Sequence, residues 1–202
     1  MRRAIFGGSF DPIHYGHLLL AETAREACAL DEIIFVPAGL PPHKRAVERA
    51  SGEHRFAMIQ AAIANCPEFS VSRFEIEASC VSYTILTVRH LRKLMPQDDL
   101  FLLVGSETLA DIAQWYEAEE LCRRVEIIAA HRAGFPQPDL TRLTALAGRE
   151  KTAAWSKLVV PMPEMAVSST LIRQRVRQGK SIRFLTPHAV ELYIQEHGLY
   201  RD

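Results

Sequence analysis

Short apolar runs and amphipathic stretches alternate along this chain. Residues 3–6 form a brief apolar run stopped by Gly7 and Gly8, and residues 16–30 place Leu18, Leu19, Ala21, Ala24 and Cys28 at helical spacing. A β-branched burst at 32–36 ends at Pro37 and the turn-rich Gly39-Leu40-Pro41-Pro42. Helical spacing resumes over 53–64 with Phe56, Ile59 and Ile63, and 69–72 predicts a short strand. Residues 83–94 predict another helix and 99–104 a continuous apolar strand. Two further buried strands are expected at 125–129 and 158–160, and two closing helices at 168–178 and 187–197. The stretch 134–157 yields only a helix within loops. Continuous apolar strands separated by helices predict an α/β fold, a mainly parallel sheet with helices on both faces. In such sheets ligands sit where strand order reverses, beyond the carboxyl ends of the strands. Loops that directly follow strands are therefore where chemistry is expected.

Composition narrows the class. The 202 residues are 48% hydrophobic and 24% charged, ordinary for a globular protein, and one domain over 1–202 is expected, with the C-terminal helices (about 168–202) packed on it. Lys plus Arg equals Asp plus Glu at 24 each. That balance argues against nucleic acid as a partner. Cys28, Cys66, Cys80 and Cys122 form no C-x-x-C pair, which disfavours a zinc ribbon or redox motif and leaves buried or half-buried thiols. The apolar run before Gly7 is too short for a signal peptide, and no run reaches the ~18 residues of a membrane span. A cytoplasmic protein is expected, with a homo-oligomer neither required nor excluded.

The run Gly7-Gly8-Ser9-Phe10-Asp11-Pro12-Ile13-His14-Tyr15-Gly16-His17 follows the first strand and opens the first helix. Its glycines permit close backbone approach, and a helix start supplies N–H groups and partial positive charge for phosphate. His14 and His17, three apart around Gly16, fall on one side of that helix start. Their spacing is not the i, i+4 of a helical zinc pair, and no third ligand is evident. Near the other end, Val167-Ser168-Ser169-Thr170-Leu171-Ile172-Arg173 follows a strand and opens a helix. Ser168 or Ser169 suits the N-cap, and Arg173 lies one turn in, where a guanidinium can hold phosphate oxygens.

Together these two runs resemble the H-x-G-H and S-S-T-x-x-R signatures of the nucleotidyltransferase superfamily, whose fold is Rossmann-like. The resemblance implies that His14, His17 and Arg173 are catalytic, the histidines facing the triphosphate. It further implies an ATP site including Gly7, Gly8, Ser9, Phe10, Gly16, Ser168, Ser169 and Thr170. The middle of the chain resembles more narrowly the bacterial nicotinate-nucleotide adenylyltransferases. Val36-Pro37-Ala38-Gly39-Leu40-Pro41-Pro42-His43-Lys44 is similar to their proline-rich loop, Ser82-Tyr83-Thr84 to their S-Y-T element, and Gln114-Trp115-Tyr116 to their tryptophan loop. Gly198-Leu199-Tyr200-Arg201 resembles their ending. His43, Lys44, Ser82, Tyr83, Thr84, Trp115 and Tyr116 are thereby implied in binding nicotinate mononucleotide. An exposed indole can also stack on a pyridine ring, worth about 1–3 kcal/mol.

One departure stands out: Val104-Gly105-Ser106-Glu107 occurs where the family usually has G-x-D. Gly105 and Glu107 are carried over to the ATP site, with the glutamate one methylene longer than the usual aspartate. Arg132 matches a position near the phosphates, and His131 is unassigned. The resemblance implies ATP and nicotinate mononucleotide as substrates and Mg²⁺ entering with ATP, with no metal ligand from the protein. The proline-rich loop is the expected lid. The alternatives are another acceptor, such as nicotinamide mononucleotide or phosphopantetheine, a cytidylyl donor, or a non-catalytic nucleotide sensor. A tRNA-charging enzyme is disfavoured by the short, non-basic chain.

Overall fold

The computed structural model describes residues 1–39, 50–78, 81–132, 137–163 and 165–201, without the side chains of Glu107 and Arg132. Six strands form one sheet: β1 (Arg2–Gly8), β2 (Glu32–Pro37), β3 (Phe69–Val71), β4 (Asp99–Gly105), β5 (Glu126–Arg132) and β6 (Val159–Met162). Their order is β3-β2-β1-β4-β5-β6, and every pairing is parallel. Among the described residues the sheet is therefore wholly rather than mainly parallel, and the order reverses between β1 and β4. That reversal opens a crevice at their carboxyl ends, at Gly7-Gly8 and Gly105-Ser106.

Alternation along each strand divides the core in two. Ala4, Phe6, Ile33, Phe35, Phe101, Leu103 and Ile128 face one layer. It is covered by α1 (Tyr15–Ala27), α2 (Gly52–Ile63), α9 (Ser169–Arg177) and α10 (His188–Glu196). Ile5, Ile34, Val36, Leu100, Leu102, Val104 and Ile127 face the other. That layer receives α4 (Thr84–Leu94), α6 (Ala118–Arg124) and α8 (Arg149–Trp155), the last burying Trp155 completely. Strands apolar on both faces are what a helix-covered parallel sheet requires.

Helix limits follow local chemistry. α1 stops where Ala29 turns left-handed (φ 47) and the Leu30 N–H returns to the Arg25 carbonyl at 2.9 Å. The Ser51 hydroxyl caps α2 by accepting from the His54 N–H at 3.2 Å. Strand ends depart from expectation. Gly7, Gly8, Gly105, His131 and Arg132 are terminal strand residues, because ladder pairing continues to Gly8↔Pro37, Gly105↔Ala130 and Arg132↔Met162. The helices α3 (Phe74–Glu77) and α5 (Ser106–Asp111), like α6, are too short to show periodicity. Within 134–157 the described part holds a 3₁₀ turn at Leu140–Leu143, α7 (Thr144–Ala147) and α8. Among the described residues, no helix is long and apolar enough to cross a membrane.

Candidate active site

The loop after β1 has its carbonyl oxygens engaged by donors from the rest of the chain. Gly8 O accepts from the Ala38 N–H at 2.9 Å, and Ser9 O from Arg55 Nη1 at 2.9 Å. Asp11 O accepts from Arg173 Nη1 at 2.6 Å, Pro12 O from the Ser169 hydroxyl at 2.8 Å, and Ile13 O from the Thr186 hydroxyl at 2.7 Å. A loop intended for a polyanion cannot present carbonyls to it, and these contacts turn them toward protein. Gly8 is needed here, since a Cβ would lie 2.9 Å from the Phe10 ring. Phe10, itself at φ 48, is buried against Phe6 and Phe35 and packs edge-on to His17, with ring centroids 5.0 Å apart. Its ring supports the site from below, leaving only its backbone to meet a nucleotide.

His14 is the extended N-cap of α1, and its own N–H donates to His17 Nδ1 at 3.3 Å. A ring nitrogen that accepts carries no proton, so the His17 proton sits on Nε2, which is thereby a donor. The two imidazoles stack with centroids 3.7 Å apart and planes at 24°. Gly16 makes the stack possible: a Cβ there would meet the His14 ring at 3.0 Å and Val167 Cγ1 at 3.2 Å. His14, Gly16 and His17 line a pocket of about 360 Å³ with Gly105, Ser106, Ala130 and Ser168. The pocket lies at the carboxyl ends of β4, β5 and β6, beside the switch point.

The second signature joins this wall through the first loop. Ser168 is the N-cap of α9, its hydroxyl accepting from the Leu171 N–H at 3.1 Å, while Ser169 reaches Pro12. Thr170 is exposed, 3.4 Å from Arg173 Nη2. Arg173 lies against Asp11, whose Oδ2 is 3.9 Å from Nη1. Asp11 is only 2% exposed, and its Oδ1 accepts from the Tyr200 hydroxyl at 2.6 Å and the Ala50 N–H at 3.2 Å. Burial first, then the Asp11 carboxylate, push ionisation of the Tyr200 phenol far above its ordinary range, so it remains a proton donor.

A second cluster forms beyond the carboxyl ends of β2 and β4. The Gly39 N–H donates to Ser82 Oγ at 2.9 Å, and a Cβ on Gly39 would fall 1.9 Å from the Glu75 carbonyl oxygen. The Thr87 hydroxyl donates to the buried Glu75 carboxylate at 2.6 Å. Burial nonetheless pushes the Glu75 pKa above the usual carboxylate range, against the opposing hydrogen bonds from Thr87, Ser82 and Gly39. Tyr83 precedes α4 without a side-chain cap, so the Thr84 end of that helix keeps its positive pole for a ligand. The Tyr83 and Tyr116 rings lie 4.5 Å apart at 31°. Trp115, in the turn before α6, is half-buried against the second core layer, and Tyr116 is 52% exposed. Arg89 clasps Glu117 and Glu120, fixing the turn that carries Tyr116.

Comparison with known proteins decides what this arrangement belongs to. Residues 5–175 match the cytidylyltransferase-like family model. Proteins named "Probable nicotinate-nucleotide adenylyltransferase" align end to end. One from Thermus thermophilus is 43% identical, covering 100% of both chains, and that of Carboxydothermus hydrogenoformans is 42% identical, covering 98% of this chain and 96% of the other. The chain belongs to the nicotinate-nucleotide adenylyltransferase family. A solved structure of Plasmodium falciparum nicotinic acid mononucleotide adenylyltransferase complexed with NaAD superimposes with a TM-score of 0.75 at 21% identity, covering 98% of this chain and 97% of that chain. At that identity the likeness speaks for the Rossmann-like fold alone.

Set against the adenylyltransferase signatures, the structure gathers His14, Gly16, His17, Gly105 and Ser168 around one pocket. It places Gly7, Gly8 and Ser9 on the adjoining strand end and loop, and Ser169 and Arg173 against that loop. Ser82, Tyr83, Thr84, Trp115 and Tyr116 form the second cluster. His43, Lys44 and the Pro41-Pro42 lid lie outside the described residues, as do the side chains of Glu107 and Arg132. Sequence reasoning missed Asp11, Arg55 and Glu75 and gave Tyr200 no role. Arg55 is 4% exposed and also donates to the Ala38 carbonyl at 2.6 Å and the Ala50 carbonyl at 3.1 Å, tying β2 and α2 to the first loop. Its one sequence signal is position: it sits beside Phe56 on the face of α2 that turns inward.

Proposed function

We propose that this chain transfers the adenylyl group of ATP to nicotinate mononucleotide, giving deamido-NAD and pyrophosphate for NAD biosynthesis. One observation carries the reading. Both signature loops converge at the sheet's switch point, the histidine pair on a pocket, and the S-Y-T and tryptophan elements gather beside the neighbouring strand ends. End-to-end similarity to proteins named nicotinate-nucleotide adenylyltransferases supports ATP and nicotinate mononucleotide as the substrates.

In the proposed reaction a phosphate oxygen of the mononucleotide attacks the α-phosphorus of ATP in line. The new P–O bond forms as the bond to the β-phosphate oxygen breaks, and pyrophosphate leaves with that electron pair. No protein nucleophile takes part, so catalysis rests on positioning and charge stabilisation. His17 donates from Nε2 to developing charge, with His14 stacked beside it, and Arg173 adds a fixed positive charge one turn into α9. The Thr84 end of α4 receives the pyridine carboxylate, and Trp115 and Tyr116 supply the aromatic wall. Asp11 is already held by Tyr200 and Ala50. Mg²⁺ would enter on the triphosphate, since this ion usually keeps several waters and takes few protein ligands. When bound, the ion would neutralise phosphate charge.

Pyrophosphate release from ATP and Mg²⁺ tests this, with nicotinate and nicotinamide mononucleotides compared side by side. Preference for the acid is expected. Equal rates would remove the carboxylate role of α4, and release with neither would overturn the reading.

A further inference from the structure

A buried carboxylate that no step of the proposed reaction uses lies against the signature arginine. Asp11 lies between Arg173 and the end of the chain. One carboxylate oxygen takes two hydrogen bonds, from Tyr200 and Ala50, and the other faces Arg173 Nη1 at 3.9 Å. The Asp11 main chain receives the same Nη1 at 2.6 Å, so backbone and side chain both act on one guanidinium nitrogen. Tyr200 is placed for this by its backbone. Gly198 and Tyr200 are left-handed at φ 60 and 62, and the Leu199 N–H returns to the Ile194 carbonyl at 3.0 Å. The turn after α10 thus folds the phenol back into the first core layer, where it packs half-buried. Nearby, Arg55 donates to the Ser9, Ala38 and Ala50 carbonyls.

We propose that Asp11 and Tyr200 are a positioning pair for Arg173, through which the C-terminal turn fixes the guanidinium that faces the triphosphate. Neither residue touches substrate. Tyr200 fixes the rotamer of Asp11, and Asp11 fixes Arg173. Removing the phenol hydroxyl leaves Asp11 Oδ1 with the Ala50 N–H as its one partner among the described residues and loosens the carboxylate. Arg173 then keeps its charge and loses its aim. The inference rests on the adenylyl-transfer reading only in that Arg173 must serve the reaction.

The test is a double-mutant cycle on pyrophosphate release with ATP, Mg²⁺ and nicotinate mononucleotide. Tyr200→Phe alone is expected to lower kcat about tenfold, while KM for either substrate stays within about twofold, as misaimed rather than missing groups do. In an Arg173→Ala background the same change should alter kcat by less than about twofold, because the group it aims is gone. An equal loss in both backgrounds would show a merely structural contact and overturn the proposal, as would no loss in the wild-type background. Should Tyr200→Phe fail to fold, Asp11→Asn goes through the same cycle. It keeps the volume and sets an amide, or an uncharged oxygen, against Arg173. An unmodified protein inactive on every acceptor would instead count against the adenylyl-transfer reading itself.

Discussion

Gly16→Ala separates catalysis from stability. A Cβ at this position would stand 3.0 Å from the Cε1 and Nδ1 atoms of His14 and 3.2 Å from Val167 Cγ1. Ordinary carbon contacts begin near 3.5 Å, so the imidazole must retreat by roughly 0.5 Å or tilt. It cannot retreat freely, because it is 6% exposed and stacked 3.7 Å from His17. The displacement therefore passes into the pair that lines the pocket. Misplacements of this size are expected to lower kcat about 10- to 100-fold, or ~1.4–2.7 kcal/mol of transition-state stabilisation. Stability should barely move. Gly16 lies in the first turn of α1, where alanine favours helix by about 0.5–1 kcal/mol, which offsets the new contact. Pyrophosphate release at saturating substrate, with a thermal melt on the same preparation, gives both quantities. A variant that melts normally and turns over within about threefold of the parent would refute the claim that the histidine stack sets the chemistry.

Other outcomes are equally specific. His17→Ala removes the Nε2 donor and should cost about 3–4 kcal/mol of transition-state stabilisation in kcat/KM. Gly39→Ala drives a Cβ to 1.9 Å from the Glu75 carbonyl, a backbone clash no rotamer relieves. It should lower the stability read by urea titration by about 2–4 kcal/mol. Arg89 and then Arg124 hold the Glu120 carboxyl down to about 2, against an ordinary value of 4.5. This depressed carboxylate stabilises the fold above its unfolded pKa, and the contribution fades as pH falls from 4.5 through about 2. In Arg89→Ala the Glu120 carboxyl should titrate measurably higher by NMR.

How far the sequence disclosed this site depended on the range of the forces involved. Elements with a full helical or strand period, such as α1, α2 and β4, were legible because burial imposes that period locally. A glycine turn or a serine cap alone reads as an ordinary helix start; the loops were legible because His14 and His17 in one and Ser168, Ser169, Thr170 and Arg173 in the other together resemble two signatures of one superfamily. The helices α3, α5 and α6 were not, each spanning too few turns to display a face. Arg55 and Asp11 are the harder lesson. A charged side chain within an amphipathic helix or a turn reads as solvated, and only tertiary structure supplies the carbonyls, the phenol and the guanidinium that let these two be buried. Glu75 is similar: its partners Ser82 and Thr87 lie around the start of α4, and Gly39 arrives from the end of β2 only once the sheet has formed.

The first loop takes hydrogen bonds from residues 157, 173 and 189 positions farther along, through Ser169, Thr186 and Tyr200. A functional segment met early in the sequence is thus finished by residues met much later. Contacts of such separation form late, after much loop-closure entropy has been overcome. A growing chain would assemble β1, β2 and β4 well before its histidine loop acquired the donors that shape it. Alignment of the histidine loop would then depend on the segments around residues 169, 186 and 200, so damage there would weaken the reaction from outside the pocket.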